Sequence, residues 1–378
     1  MKKEEDIMFK QESNGLTYSF DNEKVLIVPW GENSLRVRVT HNHEFKDTDW
    51  ALIPQEEIKA EIKIHEEIGS PPDGLGSMYD SGDKSYASIK NGKLIATFNA
   101  EGSLTFSNTD GKILLEENCK RLRDNPSMAL NISGREMKPI EGENYKVTFR
   151  FKSNDNEKLF GMGQYQQKYL DMKGCSLELA HRNSQASVPF VLSNLGYGFL
   201  WNNPAIGRVV FGKNGTEWVA ESTKQVDYWI TAGDTPAEIE ESYANVTGKV
   251  PMMPDYAMGF WQCKLRYTSQ DELLAVARKH KELGLPIDVI VADFFHWTQQ
   301  GEYKFDPKYW PDPKAMCDEL ESMGIKLMVS IWPTVDYRSE NFAEMMEKGY
   351  LVRTERGVRV TMQLFGQEVF MDPTNPGT

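Results

Sequence analysis

The stretch Ile287–Lys314, IDVIVADFFHWTQQGEYKFDPKYWPDPK, decides how the second part of the chain folds. It opens as a continuous β-branched run, IDVIVA, of the kind a parallel strand buried on both faces requires. The run stops on a carboxylate, Asp293, and four rings follow at once: Phe294, Phe295, His296 and Trp297. At its far end Asp312 and Pro313 stand as the N-cap and first residue of a helix. Working outward, the same strand–helix unit recurs on both sides. Upstream, YAMGFWQCKL (Tyr256–Leu265) reads as a strand. Ser269 and Glu272 make a capping box for a helix ending near Gly284, with Leu273, Ala277, His280 and Gly284 along one face. Downstream, Met316, Cys317, Leu320 and Met323 form the expected buried stripe of the helix after Asp312, and Gly324 ends it. IKLMVSIW (Ile325–Trp332) is a third doubly buried strand and SENFAEMMEKG (Ser339–Gly349) a third helix. Strand–helix units at intervals of roughly 30 to 40 residues mark a parallel α/β barrel or a doubly wound sheet.

Before Val250 the rhythm is different. From about Leu16 to Ile230 the apolar residues alternate with period two in short pieces. KVLIVPWGENSLRVRVT (Lys24–Thr40) reads as two strands around a turn at Gly31-Glu32-Asn33. SYASIKNGKLIATFNAEGSLTFSNTDGKILLEE (Ser85–Glu117) is a meander turning at Asn91-Gly92, Gly102 and Asp110-Gly111. Such regularity over some 200 residues indicates a β-sandwich. A short helix at Thr235–Lys249 and the Pro-rich VPMMPD (Val250–Asp255) close it. The expected organisation is therefore multidomain β plus α/β, with a sandwich over residues 1–250 and an α/β region over 251–378.

The chain has 378 residues, 40% of them hydrophobic, and a formal charge of −13. A strongly acidic surface excludes nucleic acid and anionic membrane as expected partners. Four scattered cysteines without a CxxC pair indicate reduced thiols. No signal-type N-terminus and no apolar run of about 18 residues is present, so the expectation is a cytoplasmic protein that spans no membrane. No metal-ligand cluster, phosphate-cradling loop or Ser/His/Asp arrangement stands out, and neither metal nor cofactor is expected.

In parallel α/β domains the site forms at the C-terminal ends of the strands. Asp293 closes the second strand, Trp332 the third, and Lys264–Tyr267 the first, so carboxylate, rings and cation converge on one mouth. That mixture suits sugars: carboxylates accept paired hydroxyls and rings pack on pyranose C–H faces. On the residues alone, Asp293 equally suits a strand-end cap or the partner of a nearby arginine, and Trp332 a core position.

These residues resemble glycoside hydrolase family 31, the α-glucosidase and α-xylosidase family. The matching pieces are VPWGENSLRVRV, FGMGQ (Phe160–Gln164), MGFWQCKLRYTSQDEL, IDVIVADFFHW, KYWPDPKAMCDELESMGIKLMVSIWP and FMDPTNPG. Gln164 stands where the family usually has Glu, which with Trp332 points to the α-xylosidase-like branch. The resemblance implies an N-terminal β-sandwich followed by the first three or so βα units of a (β/α)8 TIM barrel. It implies a retaining, exo-acting α-glycosidase without cofactor, acting on an oligosaccharide or other α-glycoside. The substrate-binding residues it implies are Asp293, which holds hydroxyls of the sugar in the −1 subsite, with Phe294 and Trp332 lining that pocket. Trp297 and His296 would floor a +1 site, Tyr267 lies where a family aromatic sits, and Gln164 belongs to the glycine-rich turn. Both catalytic carboxylates, nucleophile and acid/base, are expected beyond Thr378, so none is assigned in this chain. A full barrel needs eight units; three would leave open strand edges, which a homo-oligomer or the remaining barrel would cover. A non-catalytic protein that binds carbohydrate or a partner chain is the alternative.

Overall fold

The computed structural model describes residues 8–48, 50–67, 69, 83–119, 132–354, 361–362 and 366–378. They form two compact units, Met1–Val250 and Pro251–Thr378.

The first unit is built of antiparallel sheets. Eight strands make the largest, running from Phe9–Glu12 at one edge through Gly15–Phe20, Glu23–Pro29 and Ser34–His41 to Val226–Ala232, Tyr197–Trp201, Ala186–Ser193 and Leu159–Gln164. A five-stranded sheet centred on Asn144–Phe151 and Gly215–Thr223 and a five-stranded meander over Glu61–Glu116 complete the unit. The turns fall where the sequence marks them. Asn33, Gly92, Gly102 and Gly111 all have left-handed backbone. At Gly102 a β-carbon would also meet the Tyr18 ring at 2.2 Å. Alternation does the rest: in Leu94–Phe98, Leu94, Ala96 and Phe98 are buried and the residues between them are not fully so. The inward faces meet in one core that includes Val37, Phe98, Phe106, Phe149, Trp201, Trp218 and Tyr228. Val226–Ala232 is buried at every residue. Its second face is covered by the helix Pro236–Thr247, whose Ile239 and Val246 pack with Trp229 and Leu200. Thr235 caps that helix by accepting from the Glu238 amide, and Gly248 ends it at φ 101°.

In the second unit Trp261–Gln262, Val289–Ala292 and Lys326–Val329 lie parallel in that order. Val289–Ala292 is fully buried. Two helices follow the first two strands, Gln270–Glu282 and Pro313–Ser322, capped by Ser269 and Asp312 as expected. Their apolar stripes close a core of Leu273, Ala277, Ile290, Met316, Leu320 and Ile325.

Several expectations need correction. The first strand is two residues long, because Asp255–Met258 turns as a 3₁₀ segment after Pro254 and the Asp288 carboxylate takes the Phe260 amide at 2.9 Å. The third strand has an exposed face at Lys326 and Met328, since nothing among the described residues covers that face, and its outer edge is unpaired among them. Cys317 is exposed: Met316 and Leu320, one helical turn apart, are buried in the core, and half-buried Met323 packs against it. Along the first helix Gln270, Leu273, Leu274 and Ala277 are the buried residues, while His280 is half-buried against the Phe260 ring and Gly284 is exposed. The third helix is shorter than expected, Phe342–Glu347. After the third helix the chain does not go on as a further parallel strand: Glu368–Phe370 pairs antiparallel with Thr334–Asp336. Residues 355–360 and 363–365 lie outside the described set.

Candidate functional site

Asp293 follows the second parallel strand directly. Its half-buried carboxylate is held only locally: Oδ1 accepts from the Phe294 amide at 2.8 Å, and Oδ2 lies 3.6 Å from Cys263 Sγ at the end of the first strand. Burial raises the pKa of the Cys263 thiol, and the Asp293 carboxylate raises it further, so the sulfur stays a donor. Among the described residues Asp293 forms no ion pair, although the reading as the partner of an arginine would require one.

The loop beyond Asp293 is shaped by its backbone. Phe295 adopts a left-handed conformation, φ 64°, uncommon for a bulky side chain. His296 is only 3% exposed and its Nδ1 lies 3.0 Å from the Asp293 carbonyl. Its own carbonyl accepts from the Asp306 amide at 2.7 Å, and its ring packs on Phe305 and Trp297 at 4.7 and 4.8 Å. Burial lowers its pKa. His296 is therefore a clamp within the loop, not the floor of a +1 site.

The clamp aims the neighbouring rings at one another. Phe294 lies 5.5 Å from Trp332 and 4.8 Å from Phe295, while Phe295 lies 6.0 Å from Trp332 and 5.9 Å from Trp297. Trp297 meets Trp332 edge-on at 6.3 Å. Trp332 itself sits three residues past the end of its strand, on the loop before Pro333. Phe294, Trp297 and Trp332 thus come together beside Asp293. Phe295 joins them, and Arg266, whose guanidinium stands 5.3 Å from the Phe295 ring centre. The run of rings after Asp293 was the signal for Phe295; nothing in spacing alone singled out Arg266 from its neighbours.

Tyr267 does not belong. It is 3% exposed, packed in the helix–sheet core, with its hydroxyl accepting from Gln262 Nε2 at 3.1 Å. The loop after the first strand folds back over the helix, so the ring faces inward and the reading of Tyr267 as a sugar contact fails. Gln164 ends a strand of the other unit and is exposed. Its motif matters for geometry: the register slips between Gly161 and Gly163, and a β-carbon on Gly163 would meet the Ala186 carbonyl at 2.2 Å. Asp372 orders the turn near the C-terminus, its carboxylate accepting from the Thr374 amide and hydroxyl at 2.9 and 2.6 Å. Among the described residues no cluster of three or more His, Cys, Asp or Glu side chains could hold a metal, and no helix is long and apolar enough to cross a membrane.

A family model described as the glycosyl hydrolases family 31 TIM-barrel domain matches residues 250–378. A second, the glycosyl hydrolase 31 N-terminal galactose mutarotase-like domain, matches residues 24–209. The family 31 glucosidase ORF2 of Pseudescherichia vulneris is 47% identical over 377 residues, covering 97% of this chain and 68% of that protein. The chain belongs to glycoside hydrolase family 31. Its two units are thus a mutarotase-like β-sandwich and part of a family 31 TIM barrel. Alpha-xylosidase A of Aspergillus niger is 30% identical over 384 residues, with 97% of this chain and 50% of that protein covered. The crystal structure of a family 31 α-xylosidase from a soil metagenome complexed with xylose is 52% identical, with a TM-score of 0.85 over 98% of this chain and 53% of that one. The chain therefore spans about half the length of the last two relatives.

Proposed function

We propose that this chain carries the sugar-gripping face of a retaining, exo-acting α-glycosidase, of α-xylosidase or α-glucosidase type, which removes terminal α-linked sugars. The observation that carries the reading is Asp293: a half-buried carboxylate at a strand tip with no ion pair among the described residues, beside Phe294, Trp297 and Trp332. An ionised carboxylate accepts two hydroxyl hydrogen bonds, and the rings offer flat apolar faces to pyranose C–H groups. Relatives that are α-xylosidases, one of them complexed with xylose, support the choice of sugar.

Retaining hydrolysis needs one carboxylate to attack the anomeric carbon and another to protonate the leaving oxygen. We assign Asp293 neither role: it holds hydroxyls and fixes the ring for attack. Gln164, at the end of the bulged glycine-rich strand of the sandwich unit, has its role in strand geometry.

A panel of nitrophenyl α- and β-glycosides, given to this chain joined to the remaining barrel units that would bring the two catalytic carboxylates, tests the proposal. Release from the α-xyloside or α-glucoside, with retained anomeric configuration in the first-formed sugar, is the expected result. Activity confined to β-glycosides, or no binding of xylose or glucose in calorimetry, overturns it.

A further inference from the structure

Twenty residues, 293–312, separate the second parallel strand from the next helix, and none of them lies in a helix or strand. A loop of that length has conformational freedom that a binding face must remove. The ring face is shared between this loop, which carries Phe294 and Trp297, and the segment after the third strand, which carries Trp332. The clamp at His296 ties the loop to itself, through the Asp293 carbonyl and the Asp306 amide. Nothing in that clamp reaches the segment of Trp332.

Gln300 does reach it. Its side chain is 6% exposed, three residues past Trp297. Nε2 donates to the Thr334 carbonyl at 3.2 Å, and the Gln300 carbonyl accepts from the Asp336 amide at 3.1 Å. Thr334 stands two residues past Trp332. The anchor is firm: Thr334–Asp336 is buried at every residue, pairs with Glu368–Phe370, and packs through Val335 on Leu351 and Val369. Gly301 permits the close approach, since it has φ 94° and a β-carbon there would meet Val335 Cα at 2.7 Å. Lys304 and Glu340 link the same segments at 2.7 Å, but both side chains are about half exposed, where an ion pair contributes little. We infer that Gln300 is a positioning residue: it touches no sugar, but holds the Trp297 loop to the Trp332 segment and so sets the spacing of the ring face against which the sugar packs. The inference rests on the proposed sugar site at Asp293.

The test uses this chain joined to the remaining barrel units. It measures kcat/KM on nitrophenyl α-xyloside or α-glucoside, whichever is cleaved faster, well below the melting temperature of each variant. Gln300→Met keeps the side-chain length and removes the donor, whereas Gln300→Asn keeps the amide but is a methylene too short to reach. Each is expected to lower kcat/KM about tenfold, the scale of one buried hydrogen bond. Lys304→Ala should change it by less than about twofold. Trp332→Leu supplies the deciding comparison. A residue that acts through the ring face loses its effect once that face is broken, so adding Gln300→Met to Trp332→Leu should cost less than about a further twofold. A residue that only supports the fold would lower the melting temperature with kcat/KM unchanged, or would cost the full tenfold again in Trp332→Leu. Either result overturns the inference and leaves the grip by Asp293 standing, as does a loss in Lys304→Ala equal to that in Gln300→Met. If the unaltered joined protein cleaves neither α-glycoside, the glycosidase reading falls and this inference with it.

Discussion

The sandwich core and the strand tips of the α/β unit treat charge in opposite ways. In the sandwich core several charged groups are buried and satisfied by partners within the unit. Arg36 and Asp227, both almost wholly buried, share a fork in which Nε reaches both oxygens at 3.1 Å and Nη2 reaches Oδ2 at 2.6 Å. Arg135 lies between Glu117 and Glu23, and Glu157 accepts from Ser193 and Tyr197. In the α/β unit the charges at the strand tips, Asp293 and Arg266, are left without ion pairs among the described residues, and the rings around them are half-buried or exposed. Burial has a desolvation cost that only a complete set of partners offsets. A scaffold can supply that set itself, whereas a binding site must leave it to the ligand. The contrast between completed and open charge is therefore a physical argument for the proposed site in the α/β unit.

The largest expected effect tests the completed side. Asp227→Ala leaves the Arg36 guanidinium buried without its partner, and should cost about 3–5 kcal/mol of stability in chemical denaturation. The double replacement Arg36→Met with Asp227→Leu should cost less than either single one, because no stranded charge remains. A single replacement that costs under about 1 kcal/mol would show that the pair is not the sealed unit its geometry indicates.

The open side should respond in the reverse manner. Asp293→Ala is expected to weaken xylose binding by about 3 kcal/mol, the scale of two charged hydrogen bonds, or more than a hundredfold. Its effect on folding should stay under about 1 kcal/mol, since the carboxylate holds only one amide and one thiol. Calorimetry and thermal denaturation on the same preparation separate the two. A large loss of stability with binding intact would make Asp293 a structural cap and erase the contrast.

Sequence reading reached the parts of this picture that are fixed locally. The capping residues Thr235, Ser269 and Asp312, the turn residues Asn33, Gly92 and Gly102, and the buried run ending at Asp293 all follow from short-range chemistry. It failed where long-range packing decides. Tyr267 directly follows the charged Arg266, yet its ring packs in the core. Cys317 neighbours buried Met316 on the chain but points 100° away around the helix. The antiparallel pairing of Glu368–Phe370 with Thr334–Asp336 depends on contacts more than thirty residues apart. Arg266 was within the stretch read as cationic, but only its position over Phe295 distinguishes it from Lys264.

A smaller effect concerns the glycine-rich bulge before Gln164. Gly163 has φ 87°, and an added β-carbon would meet both the Ala186 carbonyl and the Val188 amide. Gly163→Ala should cost about 2 kcal/mol, from the left-handed backbone and the forced shift of the paired strand. Gln164→Ala should change stability by less than about 0.5 kcal/mol, as expected of an exposed side chain. If Gln164→Ala instead removes binding, the sandwich unit contributes more to the site than strand geometry.

The smallest effect shows why Arg266 and not Lys264 is the open cation. Glu272 is held well below the usual carboxylate range, at about 2, chiefly by its hydrogen bond from Lys264 and then by the amide and hydroxyl of Thr268. A carboxyl whose pKa is lower in the folded chain contributes stability above its unfolded value of about 4.5, and that contribution is lost as pH falls toward 2. With the side chain about one-third exposed, solvent screening limits the contribution to under about 1 kcal/mol. Glu272→Gln should therefore reduce stability slightly at neutral pH and flatten the decline between pH 4.5 and 2, read from denaturation midpoints across that range. If the decline persists in Glu272→Gln, this clamp is not its source. Lys264 would then be as open a charge as Arg266, and the distinction between the two cations would have to rest on the Phe295 stack alone.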